Sequence, residues 1–127
     1  MEFRDNPPIY IQIAEYVCEQ ILLRKWPSDG RVPSLRDLAV KMEVNPNTVQ
    51  RAYDFLQQRG IISNKRGVGI FVNHDAPDRI LAFRKELFVE NELPVFFRNL
   101  YLLKIDLKEI KLLYDQFIAD NFKKKTS

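Results

Sequence analysis

The sequence is poor in the residues that specialised chemistry uses. It has one cysteine, Cys18, one histidine, His74, and one tryptophan, Trp26, in 127 residues. A single cysteine excludes an internal disulfide and fits a reducing, cytoplasmic setting. His74 has no cluster of other ligand residues beside it, so no metal is expected, and no cofactor either. Gly67-Val68-Gly69 is a fragment of a glycine-rich pattern, but it opens no helix and makes no nucleotide loop. No nucleophile–base arrangement is present, so nothing supports an enzyme. No apolar run approaches the roughly 18 residues a membrane span needs, and the first residues lack the basic-then-apolar order of a signal peptide.

Neither sign of charge dominates. The net charge is +3, which by itself separates nothing. Its distribution says more. Residues 24–66 hold nine Lys or Arg against four Asp or Glu, whereas residues 75–127 hold ten against nine. The positive excess therefore lies in the N-terminal half, where contacts to phosphates would need it. Lys123-Lys124-Lys125 reads as a frayed, solvated helix end.

Apolar spacing and punctuation divide the chain. Tyr10, Ile13, Ala14, Val17, Cys18 and Ile21 recur at helical intervals between Pro8 and Pro27, which predicts a helix from Ile9 to about Leu23. Trp26–Gly30 reads as a turn. Ser34 and Asp37 form a capping box ahead of a short helix carrying Leu35, Leu38, Ala39 and Met42. After the turn Glu43-Val44-Asn45, Asn45 is an N-cap and Pro46 suits the first helical position. The helix that follows runs to about Arg59 with Val49, Ala52, Tyr53 and Leu56 on its inner face, and Gly60 is a left-handed stop. Ile61–Asn64 and Ile70–Val72 flank a glycine-containing tip, a hairpin signal. His74–Pro77 reads as a linker. Beyond it come a helix from Asp78 to about Asn91, a break or kink near Leu93 caused by Pro94, a segment Val95–Leu103, and a last helix opened by Asp106 and Glu109.

Helix, capped short helix, tight turn, longer helix and hairpin, in that order, describe a winged helix-turn-helix. The second helix of such a pair lies in the major groove with its first residues at base edges. Asn47, Gln50, Arg51 and Asp54 project outward here, and Thr48 lies near the helix start. Asn and Gln suit adenine, Arg suits guanine, and Thr48 with free N–H groups at the helix start suits a phosphate oxygen.

Residues 9–72 resemble the DNA-binding domain of the GntR family of bacterial transcription regulators. The resemblance is carried by Ile9–Ala14, Val32-Pro33-Ser34-Leu35-Arg36-Asp37-Leu38-Ala39, Val44–Tyr53, Leu56–Gly60 and Arg66–Val72. It departs from the family where Trp26–Arg31 replaces the usual Pro-Gly turn. The resemblance implies that Arg36, Asn45, Asn47, Thr48 and Gln50 contact DNA and that Arg66 and Gly67 form a wing tip entering the minor groove. Arg51 and Lys65 are added as backbone or base contacts. Pro46 stands where some relatives place a basic contact residue, so the base preference should differ from theirs.

The helical remainder resembles the tail of the YtrA subfamily, which implies a dimerisation role and a repressor. The residues point the same way. Leu87, Phe88, Phe96, Leu100, Leu103, Tyr114 and Phe117 are among more apolar side chains than so short a segment can hide within itself. A two-fold interface would bury them. Packing on the N-terminal part of the same chain is the alternative.

The expected architecture is therefore mainly α: a winged helix-turn-helix DNA-binding domain over residues 1–74 and a helical dimerisation region over 75–127. The expected function is sequence-specific binding of a near-palindromic double-stranded operator by a homodimer. The alternative is a winged-helix protein-interaction module in a larger assembly. No effector is assigned, because helices of this size barely enclose a small molecule, although a dimer interface can create a pocket that one chain lacks.

Overall fold

The computed structural model describes residues 7–123, and Lys124 and Lys125 of the basic tail lie outside them. The chain forms two compact units, the first ending at Arg84 and the second beginning at Lys85. The elements are α1 (Ile9–Leu22), α2 (Leu35–Met42), α3 (Pro46–Gln58), β1 (Ile62–Lys65), β2 (Gly69–Val72), α4 (Ala76–Leu87), α5 (Leu93–Leu103) and α6 (Leu107–Asn121). The fold is mainly helical, with one two-stranded antiparallel hairpin that pairs Ile62 with Val72 and Lys65 with Gly69.

The first unit is built around α3. Val49, Ala52, Tyr53 and Leu56 recur at intervals of three and four, and none of them is exposed. They meet Ile13, Ala14, Val17 and Cys18 of α1 and Leu38 of α2 in one core. Each fully buried large aliphatic side chain contributes about 1.5–3 kcal/mol relative to leaving it in water. Tyr53 is the exception that needs a polar partner, and its hydroxyl donates to the Pro33 carbonyl at 2.9 Å. Burial raises the Tyr53 phenol well above its ordinary range.

Helix ends explain the tight connections. Ser34 Oγ accepts the Asp37 N–H at 3.1 Å, Asn45 Oδ1 accepts the Asn47 N–H at 2.8 Å, and Asp106 Oδ1 accepts from Lys108 and Glu109. Four helices close with a left-handed residue and a pair of backbone bonds back to the last turn. Gly60 does so at φ +74°, where a Cβ would come within 3.1 Å of Arg79. The other three use side-chain-bearing residues: Arg24 (φ 61°), Glu43 (φ 55°) and Lys104 (φ 57°). After Glu43, the Val44 N–H bonds the Ala39 carbonyl at 3.0 Å, which makes the turn between α2 and α3.

The structure corrects two details. His74–Pro77 is not all linker, because α4 begins at Ala76, which is fully buried, and Pro77 is tolerated in the first turn where no intrahelical N–H is needed. Ile80 and Phe83 of α4 join the same core, so the first unit reaches Arg84. Of the break or kink expected near Pro94, the break is absent, because helical structure is continuous up to it. Residues Phe88–Glu92 form a π turn whose neighbours Leu87 and Leu93 keep helical angles, and Pro94 falls at the start of α5. The wide turn accommodates the missing N–H without interrupting the helical path.

Among the described residues of the second unit only Leu100 of α5 is buried, and α6 buries none of its residues. Among the described residues no helix is long and apolar enough to cross a membrane.

Two measurements follow. Tyr53→Phe strands the Pro33 carbonyl and should lower stability by about 1–3 kcal/mol in urea unfolding. A loss below the error of the melt would remove that bond from the account. Burial also pushes the Cys18 thiol up to about 11 from 9.0. Its protonated state is favoured by folding, so its contribution is complete below pH 9.0 and is lost as the pH rises towards 11. The unfolding midpoint should fall above that pH, and less steeply in Cys18→Ala. Equal slopes in the two proteins would contradict this.

Candidate nucleic-acid interface

The amphipathic division of α3 governs the site. Its buried stripe leaves Asn47, Gln50, Arg51 and Asp54 exposed on the opposite side. Gln50 Nε2 donates to Asp54 Oδ1 one turn on at 2.8 Å, which holds the amide along the outer face. Thr48 is half-buried beside them.

At the helix start the structure differs from the expected free N–H groups. Pro46 has none, Asn47 N–H is capped by Asn45 Oδ1 at 2.8 Å, and Thr48 N–H bonds the Asn45 carbonyl at 2.9 Å. Asn45 therefore serves the helix with both of its oxygens. Donors to an anion at this end must be side chains or the helix dipole.

Asn45, Asn47, Thr48 and Arg51 come together with Pro8, Ile9 and Tyr10 around one open cleft of about 410 Å³. The Arg51 guanidinium lies 3.9 Å from the centre of the Tyr10 ring. Tyr10 stands edge-on to Phe55 at 6.1 Å, and Phe55 edge-on to Phe83 at 5.2 Å. Arg59 covers both phenylalanines, at 4.9 and 4.7 Å. Arg36 is exposed on the first turn of α2 and is not part of the cleft lining.

Lys65, Arg66 and Gly67 are gathered at the end of the hairpin and exposed. Gly67 has φ +77° with no atom within 4 Å of a notional Cβ, so backbone conformation alone favours glycine there. The wing is anchored by a residue that pattern reading overlooked. Arg31 pairs with Phe71 as an isolated bridge, lies 5.5 Å above its ring, and donates from Nη2 to the Val68 carbonyl at 2.5 Å. Val32 N–H adds a bond to the Ile70 carbonyl at 2.8 Å. Residues 29–32 thus flank β2 as a third short rung. The loop before them is closed by Gly30 N–H to the Pro27 carbonyl at 2.9 Å, and a Cβ at Gly30 would meet that oxygen at 2.8 Å. Asp29 hydrogen-bonds His74 at 3.0 Å, which raises the imidazole above its ordinary value.

Of the residues expected to dimerise, Leu100 is buried inside the second unit and Leu87 is half-buried. Phe88, Phe96, Leu103, Tyr114 and Phe117 are 41–68 % exposed. Phe88, Phe96 and Tyr114 line a groove of about 500 Å³ with Leu93, Leu107 and Ile110, edged by Glu92 and Lys111.

Residues 9–72 match the family model of bacterial regulatory proteins, gntR family. The chain is 34% identical to the HTH-type transcriptional repressor YtrA of Bacillus subtilis over 81% of its own length and 73% of that protein. It spans 62% of the length of a second B. subtilis HTH-type regulator, at 35% identity over 59% of its own length. The fold is similar to that of a GntR-family protein from Bacteroides thetaiotaomicron, with a TM-score of 0.80 and 46% identity over 89% of this chain and 98% of that one. It also resembles the DNA-binding domain of AraR, solved in complex with an operator, with a TM-score of 0.52 and 25% identity over 57% and 87% of the two chains.

Arg31→Ala should loosen the wing tip without unfolding the unit. Amide exchange at Val68 and Gly69 should quicken while global stability changes by less than about 1 kcal/mol. Unaltered exchange at those two amides would show that the tip holds its own shape.

Proposed function

Since the chain belongs to the gntR family of bacterial regulatory proteins, a family of DNA-binding transcription regulators, we propose that it binds a near-palindromic operator as a homodimer in the cytoplasm and represses transcription there. The observation that carries this reading is the two-sided α3: one stripe wholly buried, the other polar and open beside a basic wing. A helix so anchored can enter the major groove without disturbing the core. Asn47 and Gln50 then meet base edges, Arg36 and Thr48 contact the backbone, and Arg66 with Gly67 follows the minor groove. Lys65 sits over the Phe71 ring at 4.7 Å, and its charge adds a backbone contact.

The dimer is supported by the second unit. Exposed aromatic and aliphatic side chains crowd α5 and α6, and α6 has no buried residue. A monomer seldom leaves so much apolar surface in water. A two-fold partner would cover it and would set two copies of α3 one helical turn apart on the duplex.

Selection from random duplexes should return an inverted repeat, with affinity falling steeply as salt rises. Arg36→Ala should weaken binding with its thermal midpoint unchanged. Phe117→Asp should shift the sedimentation equilibrium towards monomer and weaken operator binding with it. Enrichment of no sequence at low ionic strength, or a monomeric parent protein, would overturn the corresponding half of the proposal.

A further inference from the structure

Arg51 and Tyr10 are 41 positions apart in the sequence and stacked in the fold, with the guanidinium 3.9 Å from the ring centre. Such a contact is well within the range of a cation–π interaction. It draws Arg51 sideways, towards the start of α1, whereas Gln50 is held along the outer face by Asp54. A side chain on the flank of a helix in the major groove reaches the groove wall, which is lined by phosphates, while the outermost residues reach the base edges on the floor. Stacking occupies the face of a guanidinium and leaves its N–H edge open for a bidentate anion contact.

The cleft beneath that edge has the matching shortage. The N–H groups that an anion would ordinarily find at the start of α3 are absent or already bonded to Asn45. What remains there is the dipole, the Asn45 and Asn47 side-chain amides, the Thr48 hydroxyl and Arg51, and of the side chains lining the cleft with Tyr10 only Arg51 is a cation. Tyr10 is itself held edge-on to Phe55, so the ring under Arg51 is tied to the core side of α3.

We propose that Tyr10 is a positioning residue for DNA binding: its ring aims Arg51 at a backbone phosphate seated in the cleft between the starts of α1 and α3. This rests on the DNA-binding reading above. It assigns Arg51 to the backbone and not to a base, and it brings the start of α1 into the interface.

The test uses the full-length protein, a duplex selected from a random pool and a scrambled duplex of the same length, each titrated over a salt series. Arg51→Ala should weaken both duplexes by the same factor, about tenfold. It should also reduce the salt slope by about 1. Tyr10→Leu should reproduce both effects, Tyr10→Phe should bind as the parent does, and Tyr10→Leu should cost nothing further in the Arg51→Ala background. If Tyr10→Leu melts early, Tyr10→Met, which fills the space beside Phe55 without a ring, carries the same expectations. The proposal is overturned by an unchanged salt slope, by a loss that persists in the Arg51→Ala background, or by a loss confined to the selected duplex. A parent protein that holds neither duplex overturns the DNA-binding reading as well, whereas variants that lose nothing while the parent binds overturn only this inference.

Discussion

Everything the first unit presents depends on α3 being gripped along one stripe. Val49, Ala52, Tyr53 and Leu56 are wholly enclosed, and the single polar atom among their side chains is spent on the Pro33 carbonyl. That bond joins α3 to the segment entering α2, so the two helices of the pair are set by packing and by one hydrogen bond across 20 positions. Because the grip is one-sided, the opposite face carries little structural duty beyond the Gln50–Asp54 bond and the stacking of Arg51 on Tyr10. A surface relieved of packing can hold whatever side chains recognition requires.

Around that grip the structure uses aromatic rings to immobilise cations. Arg51 rests on Tyr10, Arg59 on Phe55 and Phe83, and Arg31 and Lys65 on Phe71. Arginine is the better choice for this because its planar, weakly hydrated head loses little on stacking and keeps its donors. Of the cations just named, Arg51 and Lys65 belong to the candidate DNA surface. The wing is stiffened from outside by Arg31, and its tip keeps only glycine's conformational freedom at Gly67.

The second unit obeys a different balance. Its helices bury almost nothing, with Leu100 alone enclosed. Their sequence is nonetheless as apolar as a core helix at Phe88, Phe96, Tyr114 and Phe117. Apolar surface of that extent is stable in water only when something covers it. The first unit, taken by itself, has a closed core.

What the amino-acid order settled without coordinates were the properties that reach no farther than one turn. The caps at Ser34, Asn45 and Asp106, the buried stripe of α3, the stop at Gly60 and the hairpin are each written in residues three or four apart, and periodicity reads them directly. The left-handed ends at Arg24, Glu43 and Lys104 escaped that reading, because no side chain there advertises a positive φ. Ala76 and Pro77 looked like linker because their composition is that of one. Burial of Ala76 against the core made them helix instead. The π turn ahead of Pro94 was likewise decided by how the chain absorbs a missing donor and not by proline's general habit. Contacts between distant positions belonged to the tertiary structure alone. Arg31 reaching Val68 and Arg51 stacking on Tyr10 are fixed only when α1, α3 and the wing are packed. A sequence states which side chains can stack or donate, but only the packed chain brings their partners within a few ångströms.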